Sequence, residues 1–423
     1  MEEIFITKIQ INKVRHLENI EIPIDEKERK HLILTGKNGS GKTSVLNYLK
    51  QYLTLFQGAG TSLSNLQQQK QNITTWEMAI ISYENQLKLP ILTEPQIQEL
   101  KVNIKNCKDA IKYVQKEIIL YESILPTINN ILSLEELFQS GNFILCFFDA
   151  KRNSKFQEPN GIHKLTLKNT FQLDEKTGNL FLQYIVNLKA DRSFARDDEK
   201  QDVIKSIDEW FFKFEGLLKE IFNDPNLSLE FDSKNYTFHI ITSNREKIGF
   251  NTLSDGYSAI LNIVIELILR MEEKSSKIYD MQGIVLIDEI ETHLHIELQK
   301  KVLPFLTTLF PKVQFIVSSH SPFVLNSIEN AVVYDLEHKI RVTDLSAYSI
   351  DGIVENYFDI DKYSKSIKEK IIEYESLVSK KEQTDKEKER LLELRILFKK
   401  IPEDFAPELV SSFQQIEIRR LGQ

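Results

Sequence analysis

Apolar and polar positions along this chain follow three rhythms. Unbroken apolar runs at 31–35, 143–148, 283–287 and 313–317 predict strands buried on both faces, the kind that line up in a parallel sheet. Near the start, Ile4, Ile6, Ile9 and Ile11, then Ile20, Ile22 and Ile24, alternate with polar residues and predict a β-ribbon turning through 12–16. Residues 164–188 read as a hairpin turning on 174–178, residues 192–202 as a charged loop, and residues around 227–242 as a further hairpin. Helical spacing governs Ile204, Ile207, Trp210, Phe211, Phe214, Leu217, Leu218 and Ile221, ended by Asn223, Asp224 and Pro225. It returns in Ile260, Leu261, Val264, Leu267, Ile268 and Met271.

Between 66 and 125 this third, helical rhythm becomes a heptad. Leu66, Gln69, Ile73, Trp76, Ile80, Tyr83 and Leu87 are spaced 3-4-3-4, as are Ile97, Leu100, Ile104, Cys107, Ile111, Val114, Ile118, Tyr121 and Leu125. Pro90 breaks the first helix; Thr93 with Gln96 forms a capping box for the second, and Pro95 sits in its first turn. The pair predicts an antiparallel hairpin whose second helix runs roughly 40 Å at 1.5 Å per residue. It serves either as a projecting arm or as a helical layer on the body. Beyond 350, Ile367, Ile371, Tyr374 and Val378 mark one amphipathic helix, and Thr384 with Glu387 caps another carrying Leu391, Leu394, Leu397 and Phe398. This tail is either a self-contained helical hairpin or a docking surface that includes the apolar stretch 405–421.

A chain of 423 residues, 41% of them hydrophobic, can bury two or three cores. The formal net charge of −8 supplies no global positive field, which argues against strong nucleic-acid binding by the chain alone. Cys107 and Cys146, far apart and inside apolar patterns, fit packed thiols in a reducing compartment rather than a disulfide framework or a zinc site. No apolar run approaches a membrane span and the first residues form no leader, so a cytoplasmic location without a membrane partner is expected.

Chemistry concentrates at strand ends. The strand over 31–35 runs into Gly36-Lys37-Asn38-Gly39-Ser40-Gly41-Lys42-Thr43, with Ser44 opening a helix. Glycines at these places let backbone N–H groups turn around a triphosphate, Lys42 reaches the β and γ phosphates, and the Thr43 hydroxyl is placed for Mg²⁺. The strand over 283–287 ends in Asp288, suited to orient Mg²⁺ through its water shell, and Glu289, suited to act as general base on a water. The strand over 313–317 leads to His320, within reach of a γ-phosphate. Ser254 N-caps the helix that follows, with Asp255 and Gly256 beside it, an arrangement shared by anion sites and ordinary turns. Arg15 either passes over a bound nucleotide or lies in an exposed turn, and Arg152, after the strand over 143–148, serves either the nucleotide or an allosteric edge of the ligand crevice, or the surface. His293 and His295 beside Glu291 lack a third ligand at a convincing position for a transition metal.

In this order the pieces resemble the ABC-type ATPase heads of the branch that contains SMC-like, RecF-like and OLD ATPases. The resemblance makes 36–43 the Walker A loop, 253–257 the signature, 284–289 Walker B, 291–295 the D-loop region and His320 the switch histidine. It covers about 1–60, 140–155 and 245–340. Asp255 stands where many relatives have Gly, and Gln57 and Gln139 are weak matches to the family's Q-loop glutamine. The implied fold is α/β, an ABC-ATPase (P-loop) head with an inserted antiparallel coiled-coil hairpin and a C-terminal helical tail. Its parts are 1–60 (head, with Walker A), 61–135 (hairpin), 136–350 (head, with signature, Walker B and His320) and 351–423 (tail).

The implied activity is ATP hydrolysis with ATP and Mg²⁺ as cofactors, in a homodimer or higher even oligomer. In it Ser254, Asp255 and Gly256 of one copy face the other's triphosphate. Arm and tail together make the chain most like the stand-alone ATPases of bacterial anti-phage systems of the Septu and retron-associated type. Those work with a separately encoded effector nuclease, so DNA would be reached through the complex, with no nuclease activity expected of this chain itself. A RecF-like or SMC-like DNA-repair ATPase is the alternative.

Overall fold

A computed structural model describes residues 2–57, 63–152, 155–272, 279–343, 345–357, 363–380, 382–403 and 406–421. It divides into two compact units, 1–347 and 348–423.

The first unit is built on three sheets. Strands β1 (Ile6–Val14) and β2 (Leu17–Pro23) form the ribbon expected from the alternating isoleucines, paired Ile11 to Ile20 and Ile9 to Ile22. After β3 (His31–Thr35) comes α1 (Lys42–Leu53), then α2 (Leu63–Gln86) and α3 (Glu94–Glu122). Strand β4 (Ile124–Ile128) pairs antiparallel with β1, giving the sheet order β2-β1-β4. The helical hairpin therefore stops at Glu122 rather than 135, and Leu125, expected as its last heptad position, is a strand residue. Pro126, which cannot continue a helix, explains the stop.

Thr93 and Gln96 form the capping box expected for α3, with proline in the first turn. Every predicted heptad position of the two helices from Leu66 to Tyr121 is at least half-buried, and most positions between them face solvent, Asn72, Ala79, Asn103, Ala110, Glu117 and Leu120 being half-buried as well. The fully buried residues of α3 are Val114, Ile118 and Tyr121, all in its last three turns, and Tyr121 and Leu66 join the core of the sheets. At the other end Ile91 is 90% exposed. Full burial within α3 is thus confined to the end nearest the sheets.

Helix α4 (Ile131–Gln139) and strand β5 (Phe143–Phe148) follow. Next comes the clearest departure from expectation. Residues 181–197 form helix α5 (Phe181–Asp197), not the second half of a hairpin, and α6 (Gln201–Phe222) begins within the stretch expected as a charged loop. Phe181, Leu182, Ile185 and Val186 are all buried at helical spacing, and against Trp210 and Phe214 of α6 this apolar stripe outweighs its local strand-like look. Asn223, left-handed at φ 52°, ends α6. The three strands β6 (Ser228–Asp232), β7 (Thr237–Ile241) and β8 (Lys247–Gly249) form an antiparallel sheet that contains the second expected hairpin.

The central sheet is completed by β9 (Gln282–Ile287), β10 (Val313–Ser318), β11 (Ala331–Asp335) and β12 (Ile340–Thr343). Between β9 and β10 comes α8 (Ile296–Leu309), before β9 α7 (Asp255–Glu272), and after β10 the single turn α9 (Pro322–Leu325). The order is β12-β11-β3-β10-β9-β5, parallel throughout except β12 at the edge. Register sets Ser318 beside Leu34 and Val317 beside Ile287. The carboxyl ends of β3, β10 and β9 are thus adjacent, and ligands of open parallel sheets bind in the crevice outside such ends. Two buried glutamines fasten the ribbon to this sheet: Gln314 accepts from the Ile6 N–H (2.8 Å) and donates to its carbonyl (2.9 Å), and Gln282 accepts from the Ile4 N–H (2.8 Å).

In the second unit, after the short turn α10 (Ile350–Gly352), three helices α11 (Lys365–Ser379), α12 (Asp385–Lys399) and α13 (Pro407–Leu421) share a core. It contains Tyr374, Val378, Leu394, Phe398, Leu409, Phe413 and Ile416. Of the final stretch, Ala406, Leu409, Phe413 and Ile416 fill this core, while Ile418 and Leu421 are exposed; Phe405 lies outside the described residues. Glu417 ties the three helices together, accepting from Tyr374 on α11 and from Arg395 on α12 (2.8 Å) and Arg420 on its own helix (2.8 Å).

Candidate active site

The loop between β3 and α1 is shaped by three glycines in the left-handed region, Gly36 (φ 127°), Gly39 (87°) and Gly41 (102°). A side chain at Gly36 would lie 2.9 Å from Ser40 Oγ, and one at Gly41 would lie 2.7 Å from Leu17 Cδ1, so both turns require glycine. Lys42 curls into the ring, donating to the carbonyls of Gly36 (2.8 Å) and Lys37 (3.1 Å), with Ser40 Oγ at 3.4 Å. Burial lowers the Lys42 ammonium's pKa, opposed by Glu289, Glu291, Asp288 and Asp335 around it. Asn38 and Gly39 are exposed at the loop's tip, and Ser44 is buried on α1.

Beside this ring the three strand ends meet. Thr43 Oγ1 donates to Asp288 Oδ1 (3.2 Å), and Ser318 Oγ donates to the same oxygen (2.6 Å) while accepting from the Glu289 N–H (2.8 Å). Ser318, the last residue of β10, was missed by sequence reasoning; its signal was its place as a hydroxyl at a buried strand end. Glu289 is left-handed at φ 46°, a conformation costly for a residue with a Cβ. It is held by the Ser318 contact and by Thr292, whose hydroxyl donates to its carboxylate (3.2 Å). Glu291 accepts from the His320 N–H (2.5 Å), joining the 291–295 turn to the end of β10. Burial first, and Lys42 second, lower the His320 pKa, so the imidazole is neutral at pH 7.

Arg152 is neither at the nucleotide edge nor on the surface. Its guanidinium donates to the carbonyls of Ile290 (3.1 Å), Asp288 (2.9 Å) and Glu289 (2.5 Å), bracing the back of the carboxylate turn. Burial pushes its pKa down to about 10. Arg15 is exposed in the β1–β2 turn at φ 53°; its neighbour His16 lies 3.6 Å from where a Gly41 side chain would begin. Ser254 and Asp255 are exposed at the start of α7, and Gly256 is buried. A side chain at Gly256 would come within 3.0 Å of the His293 carbonyl, so glycine there seats the helix start on the 291–295 turn. Gln139 pairs with Glu135 on α4 (3.3 Å), and Gln57 lies in the turn after α1. Among the described residues no cluster of three metal-ligating side chains occurs.

The donor set suits a magnesium triphosphate: a glycine ring of backbone N–H groups, an ammonium on carbonyls it can exchange for phosphate oxygens, and a hydroxyl and a carboxylate converging on one point. Fold and site together are those expected of a P-loop nucleotide-binding protein. The chain's sequence relatives include Septu proteins PtuA and probable ATPases of retrons. Over 405 residues it is 24% identical to Septu protein PtuA of Bacillus mycoides, covering 92% of this chain and 50% of that one. Over 151 residues it is 32% identical to "Retron Ec83 probable ATPase" of Escherichia coli, covering 33% of this chain and 27% of that one. The chain thus spans half or less of the length of these relatives. Residues 147–326 match the family described as "AAA domain, putative AbiEii toxin, Type IV TA system". Among solved structures, the SMC head bound to the C-winged helix domain of ScpA is similar at a TM-score of 0.37 and 12% identity, covering 82% of this chain and 100% of that one. No helix among the described residues is long and apolar enough to cross a membrane.

Proposed function

We propose that this chain is an ATP-driven switch that closes as a homodimer on two shared ATP sites and, through that closure, governs a separately encoded effector nuclease in anti-phage defence. The observation that carries the ATPase reading is the meeting of Lys42 and Thr43, in the loop and helix after β3, with Asp288 at the end of β9, two strands flanking β10 in one parallel sheet. Gly36, Asn38, Gly39, Ser40, Gly41, Lys42, Thr43 and Ser44 would bind the phosphates, and Thr43 and Asp288 would hold Mg²⁺, which supplies charge neutralisation during phosphoryl transfer. Glu289 takes the proton of the attacking water, and neutral His320 donates to the γ-phosphate. Arg15, exposed in the β1–β2 turn, would add a further nucleotide contact.

The dimer reading is supported by the signature. Ser254 stands exposed at a helix N-terminus, as an anion site for a second copy's γ-phosphate requires, with Asp255 exposed beside it. The defence reading is supported by the similarity to Septu and retron ATPases. The test is phosphate release and mass in solution: wild type hydrolyses ATP, and Glu289→Gln binds ATP, does not turn over, and doubles in mass. Turnover by Glu289→Gln at the wild-type rate contradicts the assignment of the base. Strong, salt-dependent DNA binding by the chain alone would favour the DNA-repair alternative instead.

A further inference from the structure

The His320 ring is half-buried just past the end of β10, and among the described residues none hydrogen-bonds its imidazole. Its position is therefore set by the backbone that carries it. Three links stitch 318–321 to the turn and helix after β9. The Ile290 N–H donates to the Ser318 carbonyl (3.1 Å). Ser321 Oγ donates to Gln299 Oε1 (2.6 Å), and Gln299 Nε2 donates to the Leu294 carbonyl (2.8 Å). The His320 N–H donates to Glu291 Oε1 (2.5 Å). Of the three, only this last link lands on His320 itself.

Glu291 is firmly seated for that contact, since its own carbonyl accepts from the Leu294 N–H (2.9 Å). Yet its carboxylate is only half satisfied. Oε2 is cut off from solvent and has no hydrogen-bond partner, and a buried polar group left so costs about 1–3 kcal/mol. A residue chosen for stability alone would not leave that oxygen bare, so a functional reason is called for. Its surroundings supply one: the charge of Glu291 acts on both Lys42 and His320, the two groups placed for the γ-phosphate.

We propose that Glu291 is a positioning residue for ATP hydrolysis, whose carboxylate holds the His320 backbone so that the imidazole meets the γ-phosphate. This rests on the reading of His320 as a γ-phosphate donor. Glu291 touches no part of the nucleotide; it acts through His320. Glu289, the proposed base, leaves the same short turn two residues earlier, so one piece of backbone sets the base and the phosphate donor together.

The test is steady-state hydrolysis by the full chain, with affinity for the non-hydrolysable analogue AMP-PNP measured alongside. Glu291→Ala is expected to lower kcat by about tenfold or more while AMP-PNP affinity stays within about twofold of wild type. Glu291→Gln keeps an acceptor at the same reach and retains most of the rate. Glu291→Asp keeps the charge but is one methylene too short, and loses as much as alanine; it takes alanine's place throughout if that variant does not fold. Combined with His320→Ala, the Glu291 change should slow hydrolysis no further than His320→Ala alone, because the two residues act as one unit. Additive losses, a loss of affinity with kcat unchanged, or a glutamine variant as slow as the aspartate one overturns the proposal. If His320→Ala itself keeps the wild-type kcat, the reading of His320 fails and this proposal with it. If His320→Ala is slow while Glu291→Ala and Glu291→Asp keep the wild-type kcat, this proposal fails alone.

Discussion

Thr43 Oγ1 and Asp288 Oδ1, 245 residues apart in sequence, lie 3.2 Å from each other in a direct hydrogen bond. The hydroxyl and carboxylate occupy the ends of neighbouring elements whose strands are fixed by sheet register, so their meeting is a property of the fold. Replacing Asp288 by Asn keeps the hydrogen bond and removes the charge. ATP affinity without Mg²⁺ is expected to hold, while Mg²⁺-dependent hydrolysis falls by about a hundredfold or more, read by phosphate release against Mg²⁺ concentration.

Ser318→Ala isolates positioning from charge. The Ser318 hydroxyl orients Asp288 (2.6 Å) and holds the Glu289 backbone in its left-handed turn (2.8 Å). Its loss is expected to lower kcat by about tenfold to a hundredfold, leaving nucleotide affinity near wild type. Loss of affinity with kcat unchanged would mean that Ser318 serves binding instead.

Arg152→Leu removes the brace behind the carboxylates and strands three carbonyls. The expected destabilisation is about 3 kcal/mol, measured as a drop in the denaturation midpoint, with hydrolysis reduced in the protein that remains folded. A variant as stable as wild type would show that the carbonyls find other donors.

His31, buried on β3, gives a pH signature. Its Nδ1 accepts from the Phe315 N–H (3.0 Å), which requires the neutral ring, and burial pushes its pKa down to about 3 from 6.5. The unfolded chain therefore takes up a proton below pH 6.5 that the folded chain refuses. Stability from this group is complete above pH 6.5 and declines as pH falls toward 3, by about 5 kcal/mol at the limit. His31→Asn keeps an acceptor that does not titrate, so its melting temperature should vary less between pH 7 and 4 than the wild type's. Parallel curves would contradict this.

Most of the site was legible because its residues sit at strand ends, where apolar runs stop abruptly and the next residue faces a crevice. The glycines of 36–41, Asp288 and His320 all announce themselves this way. Arg152 was picked out by the same signal, but not its role, because it holds backbone carbonyls, which leave no mark in a sequence. Ser318 was hidden for the same reason, as half of its role is the Glu289 N–H. The seam of the arm was readable residue by residue from its heptads, yet its end was misplaced because Leu125 continued the spacing past Ser123 while Pro126 ended the helix. Residues 181–197 misled because a short apolar cluster fits strand or helix, and only packing on Trp210 and Phe214 decides.

Mixing two inactive variants tests the central claim most directly. Lys42→Ala disables the phosphate loop and Ser254→Arg the signature, so each alone should be inactive. If every site is shared between two copies, a mixed dimer has one site with both defects and one with none. An equal mixture should regain about a quarter of the wild-type rate, half the dimers being mixed and half their sites intact. No recovery on mixing, with both variants folded and exchanging subunits, would contradict a shared site.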